Sequence, residues 1–570
     1  MTKSKIITNT LIFIIIVAYI SIFKGVFGEA NSVVGVTIIT AVLMLLQRDL
    51  TADPLKNLVI LLVVNIITGV FSYISAMNLW IGIPLNLIAL FSIAYLFSSN
   101  IRALVVVPFG LQYLFMLFAP VTGVDFEKRI FALIFGAFFI MGVQLLANKK
   151  KLEKSFNESI VSIIDSLIDT IDLPKNLIDP SPQIIDSLVS ILKDDKEMGS
   201  AILEKIDALK KIVYDKRKKG FYLNKGMKEV VDIVWILERI SLNLDKKSIY
   251  KNKEFNNYIR NYLLEIKSNI KNKKFNVSYK GFDGKLDNEI LEIIKNIDDL
   301  AMKINKLVEI ENIKKHDFHI KVPKHFESLE ITKRNFKIDS LRVSYGVRLA
   351  VLGAITIFIT EFFNLQEGKW MVFTIFALVQ PYQELSKSKA KDRIEGTIIG
   401  VILVVIVFIV FKNTQVRLLS VLLVGYLNPF ATRYRNVVIC VTFSAIASIA
   451  VTQNTTVYLA INRLLFVGCG MIIALLGTKY IIPYNIENNN EDIIKNYEDL
   501  EVQLKKDIES GEVEDGIKLL YILPAFFEEK LKALNSGKRL VELKEFTRNQ
   551  RIIINNLYEK YYSRLNKINN

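Results

Sequence analysis

The stretch KNLVILLVVNIITGVFSYISAMNLWIGIPLNLIALFSIAYLFS, residues 56–98, carries a single charged residue, Lys56, and its two apolar runs meet at Asn78. A membrane-crossing helix needs about 20 mostly apolar residues, so the stretch reads as two spans, 56–77 and 79–98. Working outward, further apolar runs at 6–23, 32–47, 102–119 and 130–147 complete six in the first part of the chain. Six more follow near 343–363, 370–381, 394–411, 416–430, 436–452 and 463–482. The whole chain has 570 residues, 51% of them apolar and 23% charged, with a mean hydropathy of +0.33. That balance requires segregation: the apolar tracts fill about 1–148 and 341–484, and most Lys, Asp and Glu lie in 149–340 and 485–570. A single soluble domain, a disordered chain and a disulfide scaffold are excluded. Both cysteines, Cys440 and Cys469, stand inside apolar tracts.

The expected fold is therefore all-α: a polytopic membrane protein with two six-helix blocks, 1–148 and 341–484, a cytoplasmic helical domain at 149–340 and a cytoplasmic helical tail at 485–570. Orientation follows from Lys and Arg. With the N-terminus inside, the inner loops and helix ends collect 16 basic residues, among them Arg48, Lys149, Arg393 and Arg435, and the outer ones seven, among them Lys24, Arg129, Lys369 and Arg463. The net charge of +16 thus has a membrane explanation, and no nucleic-acid partner is expected. In 149–340, runs such as Ile160–Ile171, Ile184–Leu192, Val230–Leu244 and Ile290–Val308 space apolar residues by three and four, as amphipathic helices do. Leu173-Pro174, Asp179-Pro180-Ser181-Pro182 and the loop 281–284 interrupt them.

The two blocks share spacings that suggest a duplication. Thr37 precedes Lys56 by 19 positions and Thr374 precedes Arg393 by 19; Arg129 stands seven residues before Gly136, as Arg463 does before Gly470. An even number of spans per block would give parallel repeats, each Arg near the start of its block's last helix.

The second block also carries a motif: Gly368-Lys369-Trp370, Thr374, Gln380-Pro381, then Arg393-Ile394-Glu395-Gly396-Thr397-Ile398-Ile399-Gly400. This resembles the signature of the fusaric acid resistance-like family, the aromatic acid exporters, and the resemblance is specific in 345–484 and faint in 1–148. It implies efflux of aromatic carboxylic acids and other organic anions, with plant malate channels as distant relatives. On a helix Arg393, Gly396, Thr397 and Gly400 share one face. Gly396 and Gly400, and Gly470 in the last helix, are expected to be helix-packing positions. Arg393 reads as lying at the positive end of its helix, either as an orienting, snorkelling cation or as a contact for an anion. The candidate substrate contacts are Arg393, Trp370, Thr374, Gln380 and Thr397. Trp370 reads equally as an interface anchor. Glu361, near the outer end of its span, is a candidate coupling group or an interfacial partner of Lys369.

No nucleotide-binding loop occurs, since Gly284-Lys285 and Gly537-Lys538 lack the remaining residues. His316, His319 and His325 lack the spacing of a helical zinc site, and no cofactor or metal is expected. Neither is catalysis. The expected partners are the lipid bilayer, small organic anions and a possible second copy in a homodimer. Three functions compete: a gradient-driven exporter, an anion channel on the same scaffold, and a non-transporting scaffold whose cytoplasmic helices bind partners.

Overall fold

The computed structural model describes residues 3–46, 50–51, 54–98, 105–148, 151–172, 201–213, 225–244, 253–272, 282, 288–313, 340–453, 456–509, 513–534 and 537–569. Its elements are helices, with no strand among the described residues. They form two compact units: Met1–Ala147 with Ile331–Glu491, and Asn148–Glu330 with Asp492–Asn570. Ile184–Leu192, the three histidines, Leu173-Pro174 and the 179–182 turn lie outside the described residues.

The first unit begins with α1 (Lys3–Phe27), α2 (Ser32–Leu45), α3 (Pro54–Met77), α4 (Leu79–Phe97), α5 (Val106–Phe118) and α6 (Val124–Asn148). Its second part holds α12 (Leu341–Phe362), α13 (Lys369–Leu378), α14 (Gln383–Val410), α15 (Thr414–Leu427), α16 (Tyr434–Gln453) and α17 (Thr456–Tyr480). Seven of these, α1, α3, α4, α6, α12, α14 and α17, contain segments long and apolar enough to cross a membrane, and the chain is a multi-pass membrane protein. The polar residues between apolar runs start helices. Asn78 Oδ1 accepts the N–H groups of Trp80 and Ile81 at 3.0 and 3.1 Å at the head of α4, and Asn413 accepts that of Gln415 at 2.9 Å at the head of α15. The large apolar side chains left on the outer surface, such as Ile14, Leu419 and Ile472, suit hydrocarbon rather than water.

The α4 helix packs along α12, burying Leu90, Ile93, Ala94, Leu349 and Leu352. Beside it, Phe115 and Phe118 of α5 meet Phe373 of α13 at ring separations of 5.1 and 5.9 Å. A second core of Val404, Phe408, Phe443, Ile446 and Ala447 holds α14 against α16. Several helices begin earlier than their apolar runs: α6 at Val124, α14 at Gln383 and α17 at Thr456. Hydropathy reports depth in the bilayer, whereas helical hydrogen bonding continues through polar turns beyond it.

The second unit contains α7 (Lys151–Asp172), α8 (201–213), α9 (Lys225–Leu244), α10 (Lys253–Asn272), α11 (Asn288–Ile313), α19 (Val513–Leu534) and α20 (Gly537–Asn569); α18 (Ile486–Glu509) leads into it. Amphipathic faces meet, α9 against α11, α7 against α10 and α19 against α9 and α20. The interior also holds charges. Asp232 receives Lys303 at 2.7 Å, Lys518 at 3.0 Å and the Tyr558 hydroxyl at 2.5 Å. Glu238 receives Lys210 at 2.7 Å and the Tyr521 hydroxyl, and Arg551 reaches Asp207 at 2.7 Å. Burial pushes the Glu238 carboxyl up, but Lys210, Tyr521 and Arg551 outweigh it and hold the group below its ordinary value.

Candidate functional site

Ten residues long, α13 rises only about 15 Å, half the hydrocarbon thickness. Pro381 stops it, having no N–H to donate and forcing the preceding residue away from helical geometry. Gln380 uses its own side chain to cap the break, donating Nε2 to the Ala377 and Val379 carbonyls at 2.9 and 3.1 Å. Its backbone N–H goes to Ser386 Oγ at 3.2 Å. Arg348, fully buried on α12, donates Nη2 to the Pro381 carbonyl at 2.5 Å and Nε to the Ser344 carbonyl at 3.3 Å. Gln380 therefore shapes the break, and Arg348, which motif reading passed over, is its second fastening. An arginine inside the apolar run 343–363, five residues from its start, was the available signal.

Beyond the break, Arg393 sits ten residues inside α14, not at its positive end. The helix-terminus reading fails because the polar turn 383–392 is itself helical. Arg393 is 8% exposed. Its Nη2 points at Thr374 Oγ1 and its Nη1 at the Tyr434 hydroxyl, each at 3.4 Å, and its Nε has no partner. Thr374 Oγ1 gives its own proton to the Trp370 carbonyl at 2.7 Å, which leaves an oxygen lone pair toward the arginine. Thr397 donates to the Arg393 carbonyl at 2.7 Å, a bond within its own helix.

Arg463 completes the group. It is 1% exposed, seven residues inside α17, with its guanidinium carbon 3.7 Å from the centre of the Trp370 ring. Nη2 reaches Thr442 Oγ1 at 3.4 Å; Nε and Nη1 have no partner. Both guanidinium groups thus meet α13 one turn apart, Arg393 at Thr374 and Arg463 at Trp370. The nearby carboxylate, Glu367, is held by Trp370 Nε1 at 2.5 Å and Lys369 at 3.1 Å. Lys369 thus pairs with Glu367, not with Glu361, which stands away from this group beside a separate cavity. Trp370 is half-buried, its ring turned onto Arg463.

The glycines let these elements converge. A Cβ on Gly396 would fall 2.6 Å from the Arg435 carbonyl oxygen, and one on Gly400 2.8 Å from Thr442 Cβ and 2.9 Å from the Ile439 carbonyl oxygen. So α14 and α16 touch backbone to backbone, which places Tyr434 and Thr442 beside the arginines. A Cβ on Gly470 would fall 2.7 Å from the Met371 carbonyl oxygen and 3.0 Å from Thr374 Cβ, fixing α17 against α13 in the same way.

The result is a buried pair of guanidinium groups with three unpartnered nitrogens, hydroxyls and an aromatic face around them, and no carboxylate at ion-pairing distance among the described residues. Such an arrangement is costly in the absence of a counter-charge. An anion with two oxygens supplies what it lacks.

Residues 354–477 match the family described as fusaric acid resistance protein-like, a segment that includes Trp370, Thr374, Arg393 and Arg463. An uncharacterized protein of Haemophilus influenzae is 26% identical over 151 residues, which is 26% of this chain and 21% of that relative. The chain thus spans about a fifth of the length of the curated relative it matches. No solved structure matches it.

Proposed function

With its second membrane block fusaric acid resistance protein-like, we propose that this chain is a transporter that exports organic, chiefly aromatic carboxylic, anions, driven by an ion gradient. The carrying observation is the unneutralised Arg393–Arg463 pair: the carboxylate of the substrate takes the free guanidinium nitrogens, and Trp370 offers a ring face beside them. Thr374 orients Arg393, and Glu361 is the proposed group for coupling to the gradient.

The same proposal extends to architecture. Two six-helix blocks run in the same direction through the membrane, with the N-terminus, 149–340 and 485–570 in the cytoplasm. The short helices α2 and α13 hold corresponding positions in the two blocks, which supports placing the path there, because interrupted helices at matching positions mark substrate sites in transporters built from repeats. Flux of benzoate into sealed vesicles, normalised to folded protein, is the test. Arg393→Lys and Arg463→Lys, which keep charge but lose the planar fork, should each cut flux about tenfold, roughly 1.4 kcal/mol. Wild-type flux in both variants would remove the site. Flux that persists without a proton gradient would make the protein a channel.

A further inference from the structure

Apart from the arginine pair, the first unit encloses a cavity of about 170 Å³ where the ends of α3, α4 and α5 face α12. A cavity of roughly 150 Å³ admits a benzene ring, so this one has room for a single ring or a short branched chain. Its apolar wall includes Ile83, Phe118 and Phe358, and its polar groups are Ser75, Asn86 and Glu361. The Asn86 Oδ1 atom already accepts the Tyr113 hydroxyl, and the buried Ser75 hydroxyl lies beside that same tyrosine oxygen. Glu361 is exposed at the edge, with no Lys or Arg at ion-pairing distance among the described residues. Its nearest basic neighbour in sequence, Lys369, is held by Glu367.

We propose that this cavity is a second binding site, for a small organic ammonium ion carrying one ring or a short apolar chain. The ammonium group has three donors and no acceptor, which suits a carboxylate without a basic partner and a hydroxyl oxygen on the same cavity wall. The Phe118 and Phe358 rings favour a cation near their faces and cover the apolar part of the ligand. Other ligands fit poorly. An organic anion meets the Glu361 carboxylate with like charge, and a neutral ring leaves that carboxylate unpaired. A hard metal ion needs about six oxygens, and with Asn86 Oδ1 already used, only Glu361 and Ser75 offer side-chain oxygens here. The ligand charge is opposite to that taken by the arginine pair, so the two sites select different ligands.

Isothermal titration of the full-length protein in detergent with benzylammonium, the neutral isostere benzyl alcohol, and benzoate tests this. Benzylammonium should bind at least about tenfold more tightly than benzyl alcohol. Glu361→Gln should erase that preference, Ile83→Trp should fill the cavity and abolish binding of both, and Arg463→Lys should leave benzylammonium binding unchanged. Equal affinity of wild-type protein for benzylammonium and benzyl alcohol would overturn the proposal without any variant. So would a Glu361→Gln protein that keeps the preference, or the absence of benzylammonium binding at millimolar concentration.

Discussion

Arg129 and Arg463 each stand seven residues before a glycine packed on a short helix, yet their surroundings are opposite. Arg129 is completely provided for: Nε donates to Asn31 Oδ1 at 2.8 Å, Nη1 to the Ala119 carbonyl at 2.9 Å and Nη2 to the Ala30 carbonyl at 3.1 Å. Arg463 has one bond at 3.4 Å and two nitrogens without partners. The first is a fastener that ties α6 to the head of α2 and the end of α5. The second holds its hydrogen-bonding capacity in reserve. The second unit offers a third arrangement, in which each buried lysine meets a carboxylate: Lys210 meets Glu238, and Lys518 shares Asp232 with Lys303. What a buried cation is for is thus read from what it touches, not from its burial.

The largest expected effect breaks this comparison directly. Arg129→Met should lower stability by on the order of 3–5 kcal/mol, because it strands Asn31 and several carbonyls at once. Arg463→Met replaces an uncompensated charge by a chain of similar length and should leave the melting temperature unchanged or raise it while abolishing benzoate flux. Thermal unfolding in detergent, read beside vesicle flux, decides the matter; equal destabilisation by the two variants would erase the distinction between fastener and receptor.

Next in size is the contact that brings α16 to the arginines. Gly400→Leu has no room against Thr442 Cβ and the Ile439 carbonyl and should forfeit on the order of 1–3 kcal/mol of packing, seen as a lower melting temperature and reduced yield. An unchanged melting profile would contradict the backbone contact described here.

The paired charges of the second unit predict a pH response that the unpaired ones do not. Glu238 is held below its ordinary value in the folded chain, so its contribution to stability is fully present above the unfolded carboxyl value of about 4.3 and is lost as pH falls through the folded one. Acidification below about pH 4.5 should therefore loosen this unit, followed by hydrogen exchange in α9 and α19 of the full-length protein. Glu238→Gln should remove that part of the acid response, although it also leaves Lys210 without a counter-charge and lowers stability at neutral pH.

Much of the fold was legible because lipid imposes uniform apolarity over a fixed length: each of the twelve apolar runs falls on a helix. Helix limits were less legible, since segments such as 383–392 are polar and still helical; hence Arg393 was read one polar segment too near a helix end. The site was half legible. Arg393, Trp370 and Thr374 lie together as the motif spacing suggests, but Arg463 was read as a repeat marker because its partner, Trp370, is 93 positions away in sequence. Gln380 carries an amide in a membrane motif, and only the hydrogen bonds reveal that it caps a broken helix. Glu361 and Lys369 looked like a pair by proximity along the chain, but Glu367 is two residues from Lys369 and takes it instead.

The smallest expected effect returns to the two blocks through their threonines. Thr374→Val keeps the β-branched shape and removes the hydroxyl that faces Arg393. That contact is long, at 3.4 Å, so its loss should cost under about 1 kcal/mol and barely move the melting temperature. Arg393 would still keep Tyr434, but with one orienting contact fewer, and benzoate flux should fall about two- to fivefold. Thr37, at the corresponding place in the first block, donates to the Val34 carbonyl at 2.8 Å and touches Gln112 Oε1 at 3.3 Å, inside a network that includes Asn65. Thr37→Val should lower stability by about 1 kcal/mol and leave flux per folded molecule at the wild-type level. If the two variants exchanged these phenotypes, the first block would hold the path and the second would be its support.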